Sequence, residues 1–440
     1  MMSLEIFGLA GAVASVQPPN MLWRATIAVG KTPIGVAVDP STNKVYVANS
    51  VTGTVSVISA LTNTLTNNIA SGAAPYSIAV NPLSGNVYVA NFVSNDVWVI
   101  SEKTESVVAK IKVGINPDAV AINPRSDTVY VASLLDDAVS VISGATNTVT
   151  ATIGVGSQPD SLAVNALSNT VYVSNSNSGT LSVISGSTNK VTDTIMVGVK
   201  PDGVAVNPST NTIYVTDAAT YNASAISGST NSIVSTIRVG SNQTGVAVDP
   251  ESNTVYITDS ANQVAIVSGA TGDVETAVNV GYQPYAIAID QSTHSAFVTN
   301  YGENDVSVLA GPASSTKISC SSPTAAVGSS VTCTATVTGS SPTGNVTWSA
   351  SAGGSFSPAS CALSSGACAV TYSPSSPASE NITGYYSSDA NNAVSFAVVP
   401  LTVNGSPENG FPILLAASAF IGAVGIAIFG AGLWSRRKPA

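Results

Sequence analysis

Residues 30–70 read GKTPIGVAVDPSTNKVYVANSVTGTVSVISALTNTLTNNIA, and this stretch decides the fold. Four short runs stand out in it: GVAV (35–38), KVYVAN (44–49), TVSVI (54–58) and TLTNNIA (64–70). Each alternates or runs apolar, is rich in β-branched residues, and is bounded by Asn, Pro, Gly or Ser, as strands between turns are. In the first turn, Asp39-Pro40-Ser41-Thr42-Asn43, the proline presets a turn dihedral and Asn43 tolerates a left-handed backbone. No 3.6-residue apolar spacing competes with the strand reading.

The stretch then repeats. Gly30 recurs as Gly72, Gly114, Gly156, Gly198, Gly240 and Gly281. The aromatic of the second run recurs as Tyr46, Tyr88, Tyr130, Tyr172, Tyr214, Tyr256 and Phe297. A fixed period of about 42 residues carrying four antiparallel strands is a propeller blade. Helical solenoids lack this β content, and parallel β-helices have shorter coils. The first three strand types occur seven times and the fourth six, because the last unit stops at Val306-Ser307-Val308-Leu309. The missing copy stands in front: Ala25-Thr26-Ile27-Ala28-Val29-Gly30 matches Ser235-Thr236-Ile237-Arg238-Val239-Gly240. The expected fold is therefore all-β: a seven-bladed propeller over 21–312 whose N-terminal strand closes the last blade and covers two open edges.

Here a resemblance appears. Tyr46-Val47-Ala48-Asn49, Tyr214-Val215-Thr216-Asp217 and Phe297-Val298-Thr299-Asn300, with the V-G-x-x-P step, are similar to the YVTN family of β-propeller repeats over 22–311. The resemblance implies a seven-bladed propeller and a cell-surface, surface-layer type of location. It implies no reaction.

Residues 313–404 are Ser-rich, nearly uncharged and without the period. Strands such as SSVTCTATVTG and ACAVTYSP between Pro, Gly and Ser turns suggest an immunoglobulin-like sandwich, and the segment resembles bacterial-type Ig-like repeats. All four cysteines lie there. Clustered cysteines in even number read as a disulfide framework, and Cys320–Cys333 with Cys361–Cys368 is the favoured of three pairings. Five N-x-S/T sequons, at Asn222, Asn242, Asn345, Asn381 and Asn404, are candidate glycosylation sites.

The ends of the chain carry a topology reading. Residues 411–434, FPILLAASAFIGAVGIAIFGAGLW, are uncharged and long enough for one transmembrane helix. Arg436, Arg437 and Lys438 in the tail (435–440) would keep the C-terminus cytoplasmic and the preceding domains outside. Residues 405–410 read as a linker, and 1–20 as an export signal and lead-in. The expected location is a single-pass cell membrane protein. Ala419, Ala423, Ala427 and Ala431 recur at small-xxx-small spacing, which suits a dimer through the span.

Composition narrows the chemistry. The 440 residues are only 9% charged, carry a net charge of −10, and include one histidine. Residues 21–312 hold 10 Lys and Arg against 20 Asp and Glu, which excludes nucleic acid as a partner. His294 stands in the first hairpin turn of its unit and reads as an exposed turn residue. Asn49, Asn91, Asn175, Asp217, Asp259 and Asn300 end the second strand and read as turn caps.

One position varies where its neighbours repeat. At the start of each innermost strand stand Ile34, Tyr76, Asp118, Asp160, Asp202, Thr244 and Tyr285. In a propeller these lie at one mouth of the central channel. The expected ligand-binding residues are Tyr76, Asp118, Asp160, Asp202 and Tyr285. The carboxylates could hold calcium, and the tyrosines could stack a sugar or cover a cation. No cofactor is otherwise called for, and no catalytic motif is present. The sequence thus reads as a non-enzymatic surface module for structure, adhesion or ligand display, with glycan or neighbouring surface proteins as partners. The alternatives are a lyase or hydrolase on the propeller face and a surface ligand sensor.

Overall fold

The computed structural model describes residues 22–405, apart from 241–242, 312–313, 340–341, 388, 390–391 and 393–394. Every regular element in it is a strand. Seven four-stranded antiparallel sheets follow the repeat. Blades 1 to 6 occupy 33–70, 75–112, 117–154, 159–196, 201–238 and 246–279. Blade 7 takes three strands from 284–310 and its fourth from the front of the chain. That strand, Leu22–Ala28, pairs antiparallel with Asp305–Ala310, Ile27 opposite Val306. Arg24 donates from Nε to the Gly311 carbonyl at 2.9 Å and fastens the two ends. The closure expected from the strand count is present.

The second strand of each blade is buried on both sides, so it reads as continuously apolar. Its alternation sorts side chains between two interfaces. In blade 1, Val45 and Val47 face Phe297, Val306 and Val308 of blade 7. Tyr46 and Ala48 face Ile78, Val87 and Val89 of blade 2. The same division recurs around the ring, which makes each blade the core of the next. The outermost strand is mostly exposed but anchors through one residue, Ile69 in blade 1 and Ile27 in blade 7.

The V-G-like step has a steric cause. A Cβ at Gly30 would stand 2.6 Å from Asn49 Cγ, and one at Gly72 would stand 2.5 Å from Asn91 Cγ. The loop into each innermost strand passes so close to the strand-end Asn that glycine alone fits. Those Asn residues are structural, as expected. Asn49 Nδ2 donates to Ser56 Oγ at 2.9 Å, and Asn300 Nδ2 to Ser307 Oγ at 2.8 Å, tying second strand to third.

Residues 315–404 form two sheets that share one core. Ile318, Cys333, Ala335 and Tyr372 come from one sheet, and Trp348, Ile382, Tyr386 and Leu401 from the other. The strand Val331–Thr338 alternates strictly between core and solvent. Cys320 pairs with Cys333, and Cys361 with Cys368, as favoured. Cys320 and Cys333 are direct cross-strand neighbours.

The membrane expectation is corrected. The described residues contain no helix, and none is long and apolar enough to cross a membrane. Among the described residues the fold is all-β without a transmembrane element, and the single-pass location is not supported. The stretch 411–434 was judged on hydropathy alone, which measures apolarity and not structure. It lies outside the described residues, as do the export segment 1–20, the linker beyond residue 405, the basic tail, and the Ala419–Ala431 dimer stripe.

Candidate functional site

The start of the innermost strand is built by one device in five of the seven blades. The residue before the strand's proline takes a left-handed backbone: Thr32 at φ 57°, Ala74 at 54°, Asn116 at 54°, Gln158 at 54° and Gln283 at 55°. Residues before proline normally avoid that region, so the turn is held by its surroundings. Backbone donors do the holding: Thr32 N donates to Asn304 Oδ1, Asn116 N to Asn95 Oδ1, and Gln158 N to Asp137 Oδ1, all near 2.9 Å. The next residue but one then points at the channel axis.

The third residue of the YVTN-like motif fixes that residue's backbone from the neighbouring blade. Thr299 Oγ1 donates to the Ile34 carbonyl at 2.8 Å, and Ser174 Oγ to the Asp202 carbonyl at 2.6 Å. Thr216 and Thr258 do the same for Thr244 and Tyr285, at 3.4 and 3.1 Å. Blades 1 to 3 carry Ala48, Ala90 and Ala132 there and lack the bond. The repeated Thr or Ser is therefore a positioning residue for the mouth.

All seven variable positions line one cavity of about 140 Å³. They divide it into two sides. Asp118, Asp160 and Asp202, from blades 3 to 5, form the acidic side. Tyr76 and Tyr285, from blades 2 and 7, form the aromatic side and reach across Ile34 of blade 1 between them. Their hydroxyls meet at 2.6 Å and their rings lie edge to face at 6.1 Å. Thr244 of blade 6 closes the ring. Its hydroxyl donates to the Tyr285 carbonyl at 2.8 Å.

The electrostatics follow from crowding. Asp118 is 5% exposed, and its Oδ1 receives no hydrogen bond from any described residue. Burial, then the facing Asp160 carboxyl, push Asp118 well above the usual carboxylate range. Burial and the Asp160 charge push Asp202 the same way. Burial also raises both tyrosines, with the Asp118 charge adding to Tyr76. Neither phenol is prepared to act as a base near neutral pH. The carboxyls together are acceptors without enough donors, and this is what the mouth presents to a ligand.

Sequence reading missed the aromatic rim. Phe92 packs on Tyr76 at 5.3 Å, and Tyr301 on Tyr285 at 6.4 Å. Both follow the strand-end Asn of their blade, where Ser50, Leu134, Ser176, Ala218 and Ser260 stand in the other five. An aromatic at that place in just blades 2 and 7 was the available signal. A second cavity, of about 420 Å³, lies beside the first and shares Tyr76, Thr244 and Tyr285 with it. Tyr282 and Tyr301 extend its wall.

The other candidates stand apart. Among the described residues, no three His, Cys, Asp or Glu side chains gather closely enough to hold a metal ion, so the arc offers calcium no cage. His294 is not the exposed turn residue expected. It is half-buried, and its Nδ1 meets Asp249 Oδ2 of blade 6 at 2.7 Å. That hydrogen bond raises the imidazole and, against the pull of burial, holds Asp249 low. The equivalent place in blades 3 to 6 holds an amide or acid serving the same seam: Asn123 donates to Asn169, and Asn207 to Asn253, each at 2.7 Å. Of the sequons, Asn345, Asn381 and Asn404 are exposed, Asn222 is half-buried, and Asn242 lies outside the described residues.

Comparison with known proteins completes the picture. The YNCE-like beta-propeller family model matches residues 8–127 and 117–309. The chain belongs to the YNCE-like beta-propeller family. Among solved structures, Kuenenia stuttgartiensis hydrazine synthase is similar in fold, with a TM-score of 0.59 and 18% identity. The likeness covers 68% of this chain and 98% of that one, and at this identity it speaks for the fold alone. No curated protein matches the chain. For a YNCE-like propeller the fold supports a binding or structural module, and the family match names no ligand.

Proposed function

We propose that this YNCE-like propeller is a non-catalytic binding module that takes a small ligand at one mouth of its channel. The observation that carries the reading is the divided cavity: three carboxyls from consecutive blades face two touching tyrosines across about 140 Å³. Channel mouths are where propeller blades bring single residues from many repeats together, and concave polar–aromatic sites are where small ligands bind. The two-sheet unit after the propeller serves as a spacer in this reading.

Thermal unfolding of the full chain, measured against a panel of small cations, sugars and neutral metabolites, tests the proposal. At least one class should raise the wild-type melting temperature and leave Asp118→Asn/Asp160→Asn unmoved, since binding to the native state alone stabilises it. Equal shifts in both proteins, or none in either, would leave a purely structural display role.

A further inference from the structure

The acidic side of the mouth has a specific deficit. Three carboxyls line one side of it, no Lys or Arg lines the cavity with them, and a buried Asp118 oxygen receives no donor from the described residues. An unpaired buried acceptor is costly, and two facing carboxyls must share a proton or hold a cation between them. Among the described residues no three carboxylates gather closely enough to cage a metal ion, so a ligand held by two facing carboxyls suits the place better. A quaternary ammonium does not suit it, having no N–H to give. A primary ammonium carries three N–H donors on one atom.

The space beside the arc describes the rest of the ligand. The larger cavity of about 420 Å³ opens from the first past Tyr76 and Tyr285, with Tyr282, Tyr301 and Pro284 on its wall. The Phe92–Tyr76 and Tyr285–Tyr301 ring pairs hold this wall in place. Aromatic faces attract both a cation and an apolar body.

We infer that the mouth binds a primary ammonium carried on an apolar or aromatic body, its nitrogen between the facing Asp118 and Asp160, with Asp202 adding to the negative field, and its body against the tyrosines. This rests on the mouth being the binding site and names the ligand class. The nitrogen donates to the Asp118 Oδ1 that lacks a donor among the described residues. The same amine on a bulky sugar ring fits the acidic side but not the apolar wall.

Calorimetry on the full chain tests this with phenethylammonium chloride, 2-phenylethanol, 3-phenylpropionate, tetramethylammonium chloride and calcium chloride as probes. Phenethylammonium should bind. The alcohol, which keeps the ring and loses the charge, should bind at least roughly tenfold more weakly, as loss of charge-assisted hydrogen bonds requires. Asp118→Asn should weaken the ammonium roughly tenfold, and Tyr301→Ala a few-fold, with native melting curves for both. Added salt should weaken binding as well. If the alcohol or the carboxylate binds at the mouth as well as the ammonium, the mouth remains a binding site and the ligand class is wrong. Binding of calcium or tetramethylammonium in preference overturns it too, as does failure of phenethylammonium to bind. If phenethylammonium binds but Asp118→Asn and Asp160→Asn leave its affinity unchanged, the site itself is misplaced.

Discussion

Glu102 shows how a repeat compensates for a departure from its own pattern. Between most blades, the last residue of an innermost strand pairs with the first-turn residue of the next blade. Blade 2 has Gly85 at that turn and so offers no side chain to Asp39 of blade 1. Glu102, buried beside Gly85, fills the place and faces Asp39; Tyr46 donates to its Oε1 at 2.9 Å. Against the pull of burial, hydrogen bonds from Ser41 hold Asp39 low, so Glu102 keeps the proton. Burial, then the facing Asp39 carboxyl, lift the Glu102 carboxyl to about 7. A carboxyl raised in the folded state stabilises fully below its unfolded value, and the contribution falls as pH rises through 7. His294, also raised, loses its contribution in the same direction. Urea midpoints from pH 5 to 8 should therefore decline for the wild type and decline less for Glu102→Gln, which keeps a donor for Asp39 without a proton to lose. Glu102→Ala should cost about 1–3 kcal/mol at pH 5 by stranding Asp39. Equal slopes for wild type and Glu102→Gln would refute the shared proton.

At the scale of the element, the N-terminal strand is the one that sequence distance would least suggest is structural. It lies in the ring as a full fourth strand, with Ile27 in the blade 7–blade 1 core as Ile69 is in the next. Ile27→Ala should cost about 2–5 kcal/mol, the range for a buried Ile, and match Ile69→Ala. Chemical denaturation checks it. A loss under about 0.5 kcal/mol at Ile27 alone would mean the ring does not depend on this closure. The left-handed residues before each proline belong at this scale too. They are strained singly but held by neighbouring blades, and they occur in blades 1 to 4 and 7.

For the whole molecule, the cysteines separate two stabilities. The propeller has none, and both disulfides sit in the two-sheet unit. The Cys320–Cys333 loop is short, and its loss should cost that unit about 3 kcal/mol by chain entropy. Reductant should lower one of two thermal transitions and leave the propeller's in place. A single transition that shifts as one would show the two units unfold together.

Much of the architecture could be read before any coordinates. The period, the blade count and the aromatic at each blade's core come from residues whose neighbours are local, so each repeat states them again, and the closing strand shows as the one copy standing in front. The mouth was legible in part: Asp118, Asp160, Asp202, Tyr76 and Tyr285 stand out by varying at a fixed position. Phe92 and Tyr301 were not, because their role exists only once blades 7, 1 and 2 bring them to one rim. His294 and Glu102 were misjudged or missed because their partners are in other blades. The 411–434 reading rests on hydropathy, which does not by itself specify an element, and it falls outside the described residues.

The sequence by itself thus determined a closed seven-bladed ring, because strand periodicity and turn chemistry act over a few residues at a time. The tertiary structure decided which side chains share a cavity, which carboxyl lacks a donor and which seam holds a proton. Those are set where the chain returns to itself, on the channel axis and between blades, and there burial and the missing partners fix the chemistry.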